Sequence, residues 1–270
     1  RCFSYEYRKL KSLFMLLAID CGNTNTVFAI YNGEKKLGMW RISTDPERTS
    51  DEYAVWLTQL MSLKKLRVDM IKEVIITTVV PRTRFNLNML INNHFNITPL
   101  IVREPNVDLG IKILVERPEQ VGSDRLVTAV GAHTLYPEDL IVIDFGTGTT
   151  FDIIDNNGNW CGGVISPGVN LSLEALSMAG ALLPRVNIEK PKNIIGGNTV
   201  AAMQSGVFWG YVSMIEGMVP RIIEEYGLPM KVIATGGLAS LFVDYTDIIE
   251  IAEPDLTLLG LIEINRRNRK

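Results

Sequence analysis

Leu16-Leu17-Ala18-Ile19 is a short apolar run that ends on an acid, Asp20. Cys21-Gly22-Asn23-Thr24 follows, and then a second apolar and β-branched run, Thr26-Val27-Phe28-Ala29-Ile30. The pattern predicts strand, tight turn, strand. Gly38–Ile42 adds a third strand and makes a meander. Ser50-Asp51-Glu52 then opens a helix to about Leu63, with Tyr53, Trp56, Leu57 and Leu60 at helical spacing. Val74–Val80 is a nearly continuous β-branched run, as buried parallel strands are, and Pro81 ends it. A helix over Thr83–Phe95 and a strand at Leu100–Val102 complete a first half that reads β-β-β-α-β-α-β. Pro105–Glu119 is loop-like, with one short strand expected at Ile111–Val115. Glu119–Leu135 reads as a helix, alone or behind a turn, and carries Gly122-Ser123-Asp124-Arg125.

The pattern then restarts. Leu140–Ile143 is an apolar strand that ends on Asp144; a turn of glycine and threonine, Gly146-Thr147-Gly148, leads into the β-branched strand Thr149–Ile154. Asn156-Asn157-Gly158 is a hairpin turn, Trp160–Ser166 a third strand, and Pro167-Gly168 its break. Helices follow at Leu171–Met178 and Thr199–Tyr226. Val232–Thr235 is a buried strand ending in Gly236-Gly237, and Leu256–Arg266 is a closing helix. Asp20-Cys21-Gly22-Asn23-Thr24 thus recurs as Asp144-Phe145-Gly146-Thr147-Gly148, at the same place in each half. The chain is an internal repeat of α/β type, divided into a domain over residues 15–118 and a second over 119–270.

The recurring turn has a chemistry. Glycine and small polar residues bring backbone N–H groups against an anion with no Cβ in the way. An acid at the strand end beside them suits hydrated Mg²⁺, which binds through one or two carboxylates plus substrate phosphates. Gly146-Thr147-Gly148 is no dinucleotide fingerprint, because a strand follows it, and no Gly-x-x-x-x-Gly-Lys-(Ser/Thr) loop is present.

Composition narrows the classes. The chain has 270 residues, a net charge of −3 and 47% hydrophobic residues, so a sizeable globular core is affordable and disorder is excluded. The basic tail Arg266–Lys270 reads as a solvated helix end, so no nucleic-acid partner is expected. The three cysteines are widely spaced, as in a reduced, cytoplasmic protein. Two histidines exclude a multi-histidine metal site. No apolar run approaches the ~20 residues of a membrane span. Residues 1–14 are basic and aromatic and read as an N-terminal extension ahead of a natural start at Met15.

Two halves with paired phosphate turns resemble the acetate and sugar kinase/Hsp70/actin superfamily, and within it most closely the type III pantothenate kinases. The matching stretches are Asp20–Val27, Arg41–Asp45, Gly122–Arg125, Asp144–Thr150, Gly162–Gly168, Leu183–Val186, Gly197–Thr199, Thr235–Gly237 and Glu253–Leu261, in that order. The resemblance implies two ribonuclease-H-like domains with an ATP cleft between them. It implies ATP-dependent phosphorylation of pantothenate to 4'-phosphopantothenate, the first step towards coenzyme A. Asp124 matches the family's general base. Asp20, Cys21, Gly22, Asn23, Thr24, Asn25, Thr26 and Val27 match the first ATP phosphate loop, with Asp20 ordering Mg²⁺ through water. Thr147 matches an ATP contact, Gly236 and Gly237 lie where adenosine rests, and Asp144 matches the ligand of a monovalent cation, K⁺ or NH₄⁺. Gly122, Ser123, Asp124, Arg125 and Thr199 match the pantothenate site. Family members are homodimers whose pantothenate pocket the partner closes.

Arg125 offers the planar fork that suits a carboxylate such as pantothenate's. Three positions depart from the family pattern. Ser123 and Gly148 stand where alanine is usual, both small. Val115 stands where a tyrosine usually touches pantothenate, nine residues before the catalytic acid. Two alternatives accompany the leading reading: a non-catalytic, regulatory relative of the family, and a superfamily kinase for another small hydroxylated substrate. The presence of Asp20, Asp124 and Asp144 together favours catalysis, and the Gly-x-Asp-Arg motif argues against a sugar.

Overall fold

The structure, a computed structural model, describes residues 15–180 and 183–269. The expected N-terminal extension lies outside the described residues. The chain forms two compact units. The first comprises the described residues through Leu109, Gly122–Asp124, and those from Leu261 onward; the second comprises Gly110–Val121 and Arg125–Gly260. The chain passes between the two units at several points.

The first unit is built on β1 (Met15–Cys21), β2 (Asn25–Asn32), β3 (Lys35–Ser43), β4 (Ile71–Thr78) and the short β5 (Leu100–Ile101), in the order β3-β2-β1-β4-β5. The meander is antiparallel, whereas β4 and β5 run parallel to β1. Helices α1 (Ser50–Leu63) and α2 (Pro81–Leu90) supply the apolar cover. Leu17, Ile19, Phe28, Ile30 and Ile76 of the sheet pack with Tyr53, Leu57 and Met61 of α1 and Leu87 and Leu90 of α2. Helix α1 starts where its sequence dictates: Thr49 caps it, and Glu52 returns the bond to the Thr49 N–H in a capping box. The helix expected over Thr83–Phe95 begins with Pro81 in the first turn, where a missing N–H costs nothing. It loosens at Leu90 into five residues of π-helix, Ile91–Phe95, and stops at Asn96 in the left-handed conformation.

The second unit repeats the plan. Its strands are β6 (Leu140–Phe145), β7 (Gly148–Ile154), β8 (Trp160–Pro167), β9 (Lys231–Thr235) and β10 (Ile251–Ala252), in the order β10-β9-β6-β7-β8. That order, meander and parallel additions included, is the order of the first sheet. Each acid pairs with a threonine at the end of its parallel neighbour, Asp20 with Thr77 and Asp144 with Thr235, while the second hairpin is one residue tighter: Asp20 pairs with Val27 and Asp144 with Thr150. Ile141, Ile143, Phe151 and Ala234 pack under the 28-residue helix α5 (Thr199–Tyr226) and against Phe242. Helix α3 (Ser123–Leu135), α4 (Val169–Ala179), the four-residue α6 (Ala239–Phe242) and α7 (Leu256–Arg267) complete the elements. The strand expected at Ile111–Val115 reduces to one parallel bridge, Ile113 with Trp160. Trp160 uses its backbone on Lys112 and Leu114, then Gly162 takes φ +141 and the pairing goes no further.

Two glycines set how closely α3 and α7 pass in the second unit. A Cβ on Gly260 would lie 1.8 Å from the Val127 carbonyl oxygen, and one on Gly131 2.1 Å from that of Leu256. No side chain fits either gap, so Gly260→Ala must push two helices apart. Overpacking of this kind costs about 1–3 kcal/mol, so Tm should fall by roughly 2–12 °C. A thermal melt with Tm unchanged would show that the helices slide apart freely.

Candidate active site

In the first unit, the Gly22 N–H donates to the Asn25 carbonyl at 3.0 Å and closes the turn between β1 and β2. Asn23, Thr24 and Asn25 are exposed at its tip, and Asp20 is half-buried at the strand end. A chain of small polar side chains props the turn from beneath. The Thr44 hydroxyl donates to the Gly22 carbonyl (2.7 Å) and meets Thr26 Oγ1 (2.9 Å). Thr26 donates to Cys21 Sγ (3.3 Å), which lies 3.2 Å from Thr83 Oγ1. Buried hydroxyls need partners, and here they satisfy one another while fixing the turn. Cys21 therefore belongs to the loop's support: its side chain is 1% exposed and faces the core.

Asp124 reaches the same edge of this sheet through its neighbour. The buried hydroxyl of Ser123 accepts from Thr77 Oγ1 (2.9 Å) and donates to the Thr78 carbonyl (3.1 Å). Thr77 is the register partner of Asp20. The start of α3 is thus sewn to the carboxyl end of β4, beside the carboxyl end of β1, where open α/β sheets hold ligands. Alanine, usual at position 123 in the resembled family, could make neither bond. Gly122 leaves the Asp124 carboxylate its place: a Cβ there would lie 2.5 Å from Asp124 Oδ1 and turn that side chain aside.

In the second unit, the Gly146 N–H donates to the Gly148 carbonyl at 3.0 Å, closing the matching turn. Thr147 is exposed at its tip. Gly168 lies directly behind, where a Cβ would come within 2.1 Å of the Thr147 carbonyl oxygen. Gly236, at φ +89, takes a backbone conformation that favours glycine. A Cβ on it would fall 2.5 Å from Asp144 Oδ1 and 2.7 Å from the Phe145 carbonyl oxygen. Asp144, Thr147 and Gly236-Gly237 therefore gather at one edge, the carboxyl ends of β6 and β9. Thr199 is exposed on the first turn of α5, behind the Asn198 cap, and takes no part in these contacts.

Arg125 has an elaborate setting that the sequence did not disclose. Its Nε donates to Asp152 Oδ1 at 2.7 Å, and its guanidinium lies 5.0 Å from the centre of the Trp160 ring. Trp160 Nε1 donates to the same carboxylate oxygen at 2.7 Å, and Thr150 Oγ1 to the other at 3.1 Å. Burial pushes the Asp152 carboxyl up, to about 6, against the pull of Arg125, Trp160 and Thr150. The available signal was an acid set between Phe151 and Ile153 in an otherwise apolar and β-branched strand.

The sequence model of the type III pantothenate kinase family matches residues 16–221. A type III pantothenate kinase of Rhodospirillum rubrum is 60% identical over 255 residues, 94% of this chain and 99% of its own. One from Paramagnetospirillum magneticum is 59% identical over 254 residues, 94% and 98% of the two chains. The chain belongs to the type III pantothenate kinase family. Solved structures add the fold alone. A conserved Baf family transcriptional activator of Campylobacter jejuni superposes with a TM-score of 0.59 at 20% identity, over 93% of this chain and 98% of that one. Component A of (R)-2-hydroxyglutaryl-CoA dehydratase from Acidaminococcus fermentans gives 0.54 at 14%, over 95% and 100%. Both superpose over nearly the whole of this chain and so share its two-sheet α/β fold.

Proposed function

We propose that the protein transfers the γ-phosphoryl group of ATP to the primary hydroxyl of pantothenate, giving 4'-phosphopantothenate on the route to coenzyme A. Membership of the family supports the substrate. The observation that carries the chemistry is the Thr77–Ser123–Thr78 stitch, which brings Asp124 to the sheet edge that bears the Asp20 turn. Phosphoryl transfer asks for positioning and charge neutralisation more than for covalent catalysis. In this reading the Gly22–Asn25 turn cradles phosphate through backbone N–H groups, and Asp124 takes the hydroxyl proton late in the transfer. Thr147 and Gly236-Gly237 hold the nucleotide, and Arg125 holds the pantothenate carboxylate.

Two cations fit the residues present. Asp20 gives the single carboxylate that Mg²⁺ needs when phosphates and water complete its shell. Bound Mg²⁺ would neutralise charge on the phosphates. Asp144 Oδ1 and the Phe145 carbonyl converge on Gly236, around space that a Cβ would fill. That hard-oxygen set suits K⁺ or NH₄⁺.

A homodimer completes the proposal. Leu171, Met178, Ile194, Ile195 and Val200 are exposed apolar side chains around α4 and the start of α5, a surface that a second subunit would cover. Thr199 lies among them and in this reading reaches the partner's pantothenate. Light scattering should give twice the chain mass of 30.1 kDa. Mixing inactive Asp124→Asn and Thr199→Val proteins should restore part of the activity, since heterodimers rebuild one intact site; an active monomer would rule the shared site out. No helix among the described residues is long and apolar enough to cross a membrane, and a cytoplasmic location suits the proposed substrates.

A coupled ADP-release assay across pantothenate, pantetheine and a panel of sugars tests the whole reading. Turnover with pantothenate alone is expected. Turnover with a sugar, or with nothing, would replace it by one of the alternatives above.

A further inference from the structure

We propose that Asp152 is a positioning residue for substrate recognition: with Trp160, and in the room left by Gly163, it fixes the guanidinium of Arg125 in the orientation that grips the pantothenate carboxylate. The inference rests on the reading of Arg125 as a pantothenate contact and adds what makes that contact selective.

The setting is costly and specific. Asp152 is 1% exposed, and a carboxylate taken out of water must be compensated by good partners. It has three, from Arg125, Trp160 and Thr150. A buried ion pair is rarely the cheapest way to stabilise a core, since apolar residues of similar volume serve as well or better. What a carboxylate adds is direction. Arg125 is held at its Nε by Asp152 and on its face by the Trp160 ring. Gly163 leaves room for the far end, since a Cβ there would lie 2.3 Å from Nη2, and Nη2 donates to the Phe151 carbonyl at 3.5 Å. Trp160 is itself pinned from outside the sheet: its N–H donates to the Lys112 carbonyl at 2.9 Å, and its carbonyl accepts from Leu114 at 2.8 Å. A flexible side chain is thereby set before the ligand arrives, which lowers the ordering cost of binding.

The test is steady-state kinetics on wild type and Asp152→Asn, with pantothenate and with pantothenyl alcohol, which replaces the carboxylate by CH₂OH and is read as substrate or competitive inhibitor. Asp152→Asn keeps the shape and two-thirds of the donors' target but loses the charge that orients the fork. The pantothenate KM should rise about tenfold to a hundredfold, the range for a hydrogen bond to a charged group. The kcat, the ATP KM and the constant for pantothenyl alcohol should change less than about threefold, a split that a general loss of structure would not give. In an Arg125→Ala background, Asp152→Asn should add almost nothing to the KM, because its effect passes through the arginine. If Asp152→Asn does not fold, Trp160→Phe replaces it: the ring stays, one donor to the carboxylate is lost, and a threefold or larger rise in pantothenate KM is expected. An unchanged pantothenate KM, an equal rise for the alcohol, or additivity with Arg125→Ala overturns the inference while leaving the proposed reaction intact. A wild-type protein that does not phosphorylate pantothenate overturns both.

Discussion

Asp124→Asn should lower kcat by roughly a hundredfold or more, the usual contribution of a positioned acid–base group, and leave ATP binding almost unchanged. Asparagine has the same shape, so the contacts that locate the residue survive: Ser123 still bonds Thr77 and Thr78, and Gly122 still leaves room for the side chain. What is lost is the capacity to accept a proton. Because that capacity matters only as the hydroxyl attacks, the loss should appear in kcat and kcat/KM alike, with the pantothenate KM little altered. Asp124 is half-buried, so a melt accompanies the kinetics to show that the variant is folded at the assay temperature. Kinetics with saturating ATP, a nucleotide-binding titration and a melt decide the matter. Near-normal turnover in a folded Asp124→Asn protein would remove Asp124 from the mechanism.

The parts of the fold that were legible are those where local pattern and tertiary structure agree. The apolar runs ending at Asp20 and Asp144 are the first strands of two meanders, and a glycine-led turn closes each, one residue tighter in the second. Helix α5 has the bounds its periodicity and its Asn198 and Gly227 caps dictate. Ile111–Val115 misled because its alternation fits a strand, while strand formation depends on a partner, and among the described residues Trp160 alone offers one. The π-helical end of the second helix and the short β10 carry no periodic signal long enough to read. In the site, glycines and acids at the turns announced themselves. Their supports did not: Thr44 and Thr83 under the first turn, and Asp152 and Trp160 around Arg125, are brought in from distant strands and helices. Side chains that act through a neighbour across a sheet leave no spacing in the sequence.

Val115→Tyr should lower the pantothenate KM by threefold to a hundredfold and leave kcat nearly unchanged. In the resembled family a tyrosine at this place touches pantothenate; valine has no group to offer. A hydrogen bond to a neutral partner is worth about 0.5–1.5 kcal/mol and one to a charged group about 1.5–3, and ~1.4 kcal/mol is tenfold in affinity. The surroundings make the position apt. Val115 is partly exposed, so a larger side chain has somewhere to go. It follows Leu114, whose N–H donates to the Trp160 carbonyl, and Trp160 is the residue on which Arg125 stacks. A hydroxyl added here enters the neighbourhood of the proposed carboxylate grip, away from the reacting hydroxyl. It would therefore stabilise ground state and transition state alike, which lowers KM without raising kcat. The competing outcome is steric: if the segment after the Ile113–Trp160 bridge runs too close to its neighbours, tyrosine displaces Trp160, loosens Arg125 and raises the KM instead. Steady-state kinetics with a melting curve separate the two, and an unchanged or higher KM in a stable Val115→Tyr protein means that the lost tyrosine contact does not limit pantothenate binding here.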